Sequence, residues 1–373
     1  MAVSTRTMHR QRDYSRLFIA LGILAGVMAV APIVAAVLGI GGASVNTRTA
    51  FASAPAGEYA VLGRSEGNED VISVAWAQHP GAVTEVVRVP HLEGFTSIGA
   101  VSPDGRKLAL VSVDGGSRTQ PVASLNVVNL ETGQLVKAAE KIVPGQTPVW
   151  DNNSKQLVAT RMPYVNAPSA TIEILSVGAD GKGERIIGSH SGVLGVYPIA
   201  FDAKDRLVSV VVNGEGSILR REGAGDVVIS AHITRDWKLS PDGSELAFIE
   251  ADTSGGVRYL ARTMRVDGAA SPQALTAPAS ALGTAWTPNG RVTFGLEPGQ
   301  QSGGSEQALT AGSSSEAGFD VPLGYSESGD ALVVTHWSGP SFQQSGKPTL
   351  QLVTPQGRQA YETYTRFYGW SER

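Results

Sequence analysis

One turn, repeated along the chain, constrains the fold more than any other feature. VSPDGRKLALVS (101–112) and LSPDGSELAFIE (239–250) set a Ser-Pro-Asp-Gly turn between two short apolar runs, and WTPNGRVTFG (286–295) repeats it with asparagine. Looser versions are WDNNSKQLVAT (150–160), FDAKDRLVSVV (201–211), YSESGDALVVT (325–335) and SAPAGEYAVLG (53–63). Marked at the proline-equivalent residue they stand at 55, 103, 152, 203, 241, 288 and 327, about 38 to 51 residues apart. That spacing is what one four-stranded propeller blade occupies.

The turn residues have a physical reason. Asp or Asn followed by Gly suits the positive φ of a tight hairpin, and the preceding proline fixes its own φ at about −65°. Pro103, Asp104 and Gly105, Pro241, Asp242 and Gly243, and Pro288, Asn289 and Gly290 are therefore read as structural turns, not as catalytic acids or calcium ligands. Further strand-length runs lie between the turns, as in SLNVVNL (124–130) and TIEILSV (171–177). The expected fold is all-β, a β-propeller of seven four-stranded blades, with six or eight as alternatives. Its first inner strand is expected at about 48–53, and its last blade is completed locally, so that no strand is borrowed across the seam. A content of 44 Gly and 20 Pro with 17% charged residues suits many short strands and turns.

Ahead of the repeats, residues 17–40 read LFIALGILAGVMAVAPIVAAVLGI, with no charge between Arg16 and Arg48. The run is long enough to cross the hydrocarbon layer of about 30 Å as a helix. It exceeds the usual length of a secretory signal core, so one retained transmembrane helix is expected over 17–42. Arg6, Arg10, Arg12 and Arg16 precede it, which places the basic segment 1–16 in the cytoplasm and everything after the helix on the far side. The domain expectation is then an extracytoplasmic propeller over 47–368, with a flexible Gly/Ser/Gln-rich insertion at 297–319.

The Ser-Pro-Asp-Gly hairpins at 102–105 and 240–243, with Thr287-Pro288-Asn289-Gly290 as a close variant, resemble the repeats of the TolB-type propeller family. The resemblance covers roughly residues 50–365 and implies a propeller in the periplasm or outside the cell that docks with other envelope proteins. That family also carries a small N-terminal α/β domain, for which the direct passage from apolar segment to first repeat leaves no room.

Chemical motifs are sparse. The sequence has no G-x-S-x-G elbow, no phosphate-binding loop, no H-E-x-x-H and no cysteine. A formal net charge of −4, with no basic tract beyond the N-terminus, argues against nucleic acid as a partner. No metal or other cofactor is expected. Residues entering the inner strands come nearest the propeller axis, which makes His232, Arg235, Asp236 and Asp320 the candidates for a site in the central opening. Candidate partner contacts are Gly22 and Gly26, four apart on the apolar segment, the loop aromatics Trp337 and Phe342, and the tail aromatics Tyr364, Phe367, Tyr368 and Trp370. The leading functional expectation is a membrane-anchored, non-catalytic protein-binding or scaffold subunit of a cell-envelope complex. It touches lipid through 17–42 and another envelope or integral membrane protein through the propeller. The alternatives are an envelope hydrolase or lyase working in the central opening, and an extracytoplasmic ligand sensor.

Overall fold

The computed structural model describes residues 51–162, 171–253, 257–275, 280–296, 308–309 and 318–373, all within the compact unit Val45–Arg373. The apolar segment 17–42 with Gly22 and Gly26, the basic segment 1–16 and most of 297–319 lie outside the described residues. Among the described residues no helix is long and apolar enough to cross a membrane.

The body is all-β. Its strands begin with β1 (Glu58–Glu66), β2 (Glu69–Trp76) and β3 (Val83–Pro90). Next come β4 (Ile98–Val101), β5 (Lys107–Gly116), β6 (Pro121–Asn129) and β7 (Leu135–Ile142), then β8 (Val149–Trp150), β9 (Gln156–Arg161), β10 (Ile172–Gly178) and β11 (Arg185–His190). A meander of β12 (Gly195–Phe201), β13 (Leu207–Asn213), β14 (Gly216–Arg221) and β15 (Val227–Ser230) follows. After it come β16 (Ile233–Leu239), β17 (Glu245–Asp252), β18 (Arg258–Arg265) and β19 (Gln273–Ala274). The remaining strands are β20 (Ala281–Trp286), β21 (Val292–Leu296), β22 (Ala308–Leu309), β23 (Phe319–Tyr325), β24 (Leu332–Trp337), β25 (Pro348–Thr354), β26 (Gly357–Tyr361) and β27 (Arg366–Glu372).

The expectation of seven separate four-stranded blades is corrected by the way these strands pair. Among the described residues they form six sheets, of which four are four-stranded: β27-β1-β2-β3, β12 to β15, β16 to β19, and β23 to β26. Strands β4 to β11 form one eight-stranded sheet, because Ile142 at the end of β7 pairs with Arg161 at the end of β9 and Val143 N–H donates to the Thr160 carbonyl at 2.8 Å. The sheet β20-β21-β22 has three strands, and β22 joins it in parallel.

The expected local completion of the last sheet is also overturned. Residues 51–53 form a short 3-10 turn, not an inner strand, and the inner position of the first sheet is taken by β27 from the far end of the chain. The ladder runs from Glu58 opposite Glu372 to Gly63 opposite Arg366. The aromatic tail is therefore the strand that closes the ring.

The innermost strands follow one another around an axis. Strand β27 contacts β4 and β23, β20 contacts β23 and β16, and β12 contacts β16 and β8. Trp150 closes the gap between β8 and β4 by donating its indole N–H to the Ala100 carbonyl at 2.9 Å. Trp286 does the same to Lys238 at 2.9 Å, and Trp370 to Gly324 at 3.2 Å. Trp150 and Trp286 end their inner strands and Trp370 lies two residues before the end of its own, and in each place a large apolar ring fills the gap between sheets and its one polar atom finds a backbone acceptor.

The hairpin turns that follow the inner strands gather on one face and are stitched to their neighbours. Asp104 N–H donates to Ser154 Oγ at 3.0 Å, Asn152 Nδ2 to the Asp202 carbonyl at 2.9 Å, and Ser371 Oγ to the Gly105 carbonyl at 2.5 Å. Gly105 has φ +69° and sits against the backbone of Ser371 and Glu372, so both the conformation and the close approach require glycine there. Alternating strand residues fill the spaces between sheets. On one side of the first sheet Val61, Ile72 and Val74 pack with Leu108, Leu110 and Leu130, and on the other Ala60, Leu62 and Ala75 pack with Val333, Leu350 and Leu352. Phe51, 2% exposed, plugs the first of these spaces, a burial that contributes about 1.5–3 kcal/mol.

Candidate functional site

Three places bring polar groups together: the inner strand β16, a buried row across the β23–β26 sheet, and a cleft at the turn face beside the seam.

Strand β16 is held between β12 and β20 and backed by β17. Its register breaks between Arg235 and Lys238, and Asp236 in the break has φ +56°. Such a bulge re-aims the side chains around it. The flanking strands fix it, since Thr284 Oγ1 donates to the Asp236 carbonyl at 3.0 Å and Trp286 to that of Lys238. His232, Arg235, Asp236 and Lys238 are all exposed to solvent. Arg235 stacks its guanidinium 4.7 Å from the Tyr259 ring centroid, with its Nε 3.7 Å from Asp236 Oδ2. His232 makes its recorded contact through the backbone, donating N–H to Ser230 Oγ at 2.9 Å.

Asp320 is not with them. It is 1% exposed and lies in a row that takes one residue from each strand of its sheet. His336 Nδ1 on β24 is 2.8 Å from its Oδ1, and Arg358 on β26 reaches both carboxylate oxygens, with Nη1 3.1 Å from Oδ1. The same guanidinium donates to Gln351 Oε1 on β25 at 2.9 Å. A second row of this chemistry crosses the first sheet. Asp70, fully buried, accepts from Arg366 on β27 at 2.6 Å, Ser65 Oγ at 2.7 Å and Ser97 N–H at 2.8 Å, with His91 Nε2 3.5 Å away. In both rows a carboxylate that desolvation would otherwise penalise is neutralised by an arginine, bidentate from Arg358 to Asp320 and through the single nitrogen Nη2 from Arg366 to Asp70. Sequence reading missed Asp70, Arg366 and Arg358, because the arginines pair with carboxylates 296 and 38 residues away.

At the turn face, a cleft of about 600 Å³ is lined by Glu58, Glu327, Ser328, Asp330 and Glu372 among others. Ser328 donates both N–H and Oγ to the Glu58 carboxylate, each at 2.7 Å. The pKa of Glu372 is raised by its hydrogen bond to Glu327, by desolvation and by the charges of Glu327 and Glu58. A carboxyl whose folded pKa is raised contributes stability that is fully present below its unfolded pKa and is lost as pH rises through the folded value. Glu372→Gln is accordingly expected to raise the melting temperature at pH 7.5 and to leave it nearly unchanged at pH 4. Parallel thermal melts of both proteins at the two pH values check this. Among the described residues no three His, Asp or Glu side chains are placed to hold a metal ion.

The turn residues and aromatics are placed as follows. Ser102 Oγ donates to Asp104 Oδ1 at 2.5 Å and Arg106 N–H donates to it at 3.1 Å, and Ser240, Asp242 and Ser244 repeat that arrangement. In the third turn Thr287 Oγ1 donates to Asn289 Oδ1. Trp337 stacks on Phe319 with centroids 6.4 Å apart, and Phe342 meets the same ring edge-on at 5.0 Å. Tyr364 is buried and donates to Ser73, Tyr368 is buried against Gly63, and Phe367 and Trp370 pack edge to face at 5.9 Å.

This architecture defines the chain as a β-propeller protein. Two solved peptidases agree on the fold. Prolyl oligopeptidase B from Galerina marginata superposes with TM-score 0.54 at 10% identity, over 87% of this chain and 51% of its own. An acylaminoacyl peptidase from Pyrococcus horikoshii does so with TM-score 0.51 at 14% identity, over 80% of this chain and 50% of its own. TolB from Acinetobacter baumannii gives TM-score 0.49 at 13% identity, over 85% of this chain and 65% of its own. The chain thus spans about half the length of the two peptidases, and at these identities the likeness is one of fold alone. No family model and no curated protein matches the sequence.

Proposed function

We propose that this protein is a membrane-anchored β-propeller that works as a non-catalytic, protein-binding scaffold subunit of a cell-envelope complex. Residues 17–42 supply the lipid contact, and the propeller lies on the periplasmic or extracellular side. The observation that carries the reading is the use made of the two histidine–carboxylate pairs. His336 with Asp320 and His91 with Asp70 are buried inside sheets and joined to Arg358 and Arg366, so their charge is spent on holding strands together. A general base needs access to a substrate proton, and a carboxylate buried inside a sheet and bound to arginine does not offer it.

The test is purification of the full-length chain from its native membranes in mild detergent, followed by size-exclusion chromatography and mass determination. The proposal expects a stoichiometric protein partner that stays bound through the column and reassembles with the purified chain. Recovery of the chain as a detergent-bound monomer with no such partner contradicts it.

A further inference from the structure

Lys238 is the lysine that stands on an inner strand of the ring. Of the eight lysines in the chain, Lys107, Lys137, Lys182 and Lys347 pair with Asp104, Asp114, Asp180 and Glu362, at 3.6, 2.8, 3.6 and 3.0 Å. The Lys238 ammonium has no recorded hydrogen bond or ion pair among the described residues, and its strand is enclosed by β12 on one side, β20 on the other and β17 behind. The residue is nevertheless exposed, on one of the innermost strands of the ring. The bulge at Asp236 and the tryptophan on its carbonyl hold it there. Of the other inner strands, β4, β8, β12 and β20 carry no charged residue, and the charged residues of β23 and β27 are engaged elsewhere, Asp320 with Arg358, Arg366 with Asp70 and Glu372 with Glu327, which leaves Asp236 and Arg235 on its own strand as the charges beside Lys238.

From this placement we infer that Lys238 is an acylation site inside the central opening, open to small activated acyl donors such as acyl phosphates and thioesters and closed to bulky ones. The neutral ε-amine adds its lone pair to the carbonyl carbon of the donor. The bond from that carbon to the phosphate oxygen or thiol sulfur breaks, the leaving group departs with the electron pair, and the amine proton passes to water as the amide forms. Desolvation by the surrounding strands lowers the pKa of Lys238, against a smaller opposing effect of Asp236, and so enlarges the nucleophilic neutral fraction near neutral pH. The inference goes beyond the scaffold reading and does not depend on it.

The experiment treats the full-length chain in detergent with acetyl phosphate at pH 7.5 and reads acetylation at each lysine by peptide mass spectrometry over time. Lys155 and Lys204, both exposed, are the comparators. Lys238 is expected to react at least about threefold faster than either at pH 7.5, a margin that narrows to under about twofold by pH 10.5, where an ordinary lysine amine is about half neutral. A second sample takes the N-hydroxysuccinimide ester of a polyethylene glycol chain, which is expected to label Lys155 and Lys204 and to spare Lys238. Reaction of Lys238 at or below the comparators' rate at pH 7.5, or equal labelling by the polymer ester, overturns the inference.

Discussion

Arg366→Ala is expected to destabilise the protein by about 3–5 kcal/mol, because it leaves the fully buried Asp70 carboxylate without its cation. Ser65 and the Ser97 amide still donate to that carboxylate, but neither carries charge. In a body of this size the loss lowers the melting temperature by roughly 5 °C, read by calorimetry or near-ultraviolet circular dichroism. Arg366 sits on β27 and Asp70 on β2, two strands away in the same sheet, so the pair fastens the closing strand. Asp70→Asn in the Arg366→Ala background is expected to recover part of the loss, since the uncompensated charge is then gone. If the single variant melts within 1 °C of the parent, as an exposed ion pair would allow, the arginine is not the fastener described here.

Asp320→Asn is expected to cost about 3 kcal/mol by the same reasoning, the low end of the range because Arg358 keeps 20% of its side chain in water and can turn toward it. A double-mutant cycle with Arg358→Met separates the pair from its surroundings. A coupling of at least about 1 kcal/mol is expected for two groups that share a carboxylate at contact distance. Chemical denaturation gives both numbers. A coupling near zero means that His336, not Arg358, carries the row.

The turn chemistry was legible in the sequence because it is local. Ser102 and Asp104, or Ser240 and Asp242, settle their hydrogen bonds within two residues, and no distant partner is needed to read them. The joined sheet was not legible, since it turns on one bridge between Ile142 and Arg161 that neither apolar pattern announces. The closure was hidden for a different reason. Its signal is a tryptophan on an inner strand, seen at Trp150 and Trp286 just before their turns and again at Trp370. Reading the tail as an inner strand would have assigned Trp370, Tyr368 and Ser371 to the inner ring; reading it as an aromatic run pointed to a partner. Polar rows resist sequence reading altogether, because an arginine on one strand and an aspartate on another have no marker of pairing.

The ends of the body meet at this seam. Gly57 and Arg373 exchange backbone hydrogen bonds at 3.0 Å each, and the Arg373 guanidinium binds the carbonyls of Phe51 and Ala52. The segment leading to the first strand is therefore held against the closing strand at the turn face. Hydrogen exchange of the full-length protein, resolved by peptide, tests this closure most directly. The β1 and β27 amides are expected to exchange as slowly as those of the central pair β5 and β6. Exchange of 366–372 at the rate of exposed turns, with β5 and β6 still protected, would contradict a ring closed by its last strand.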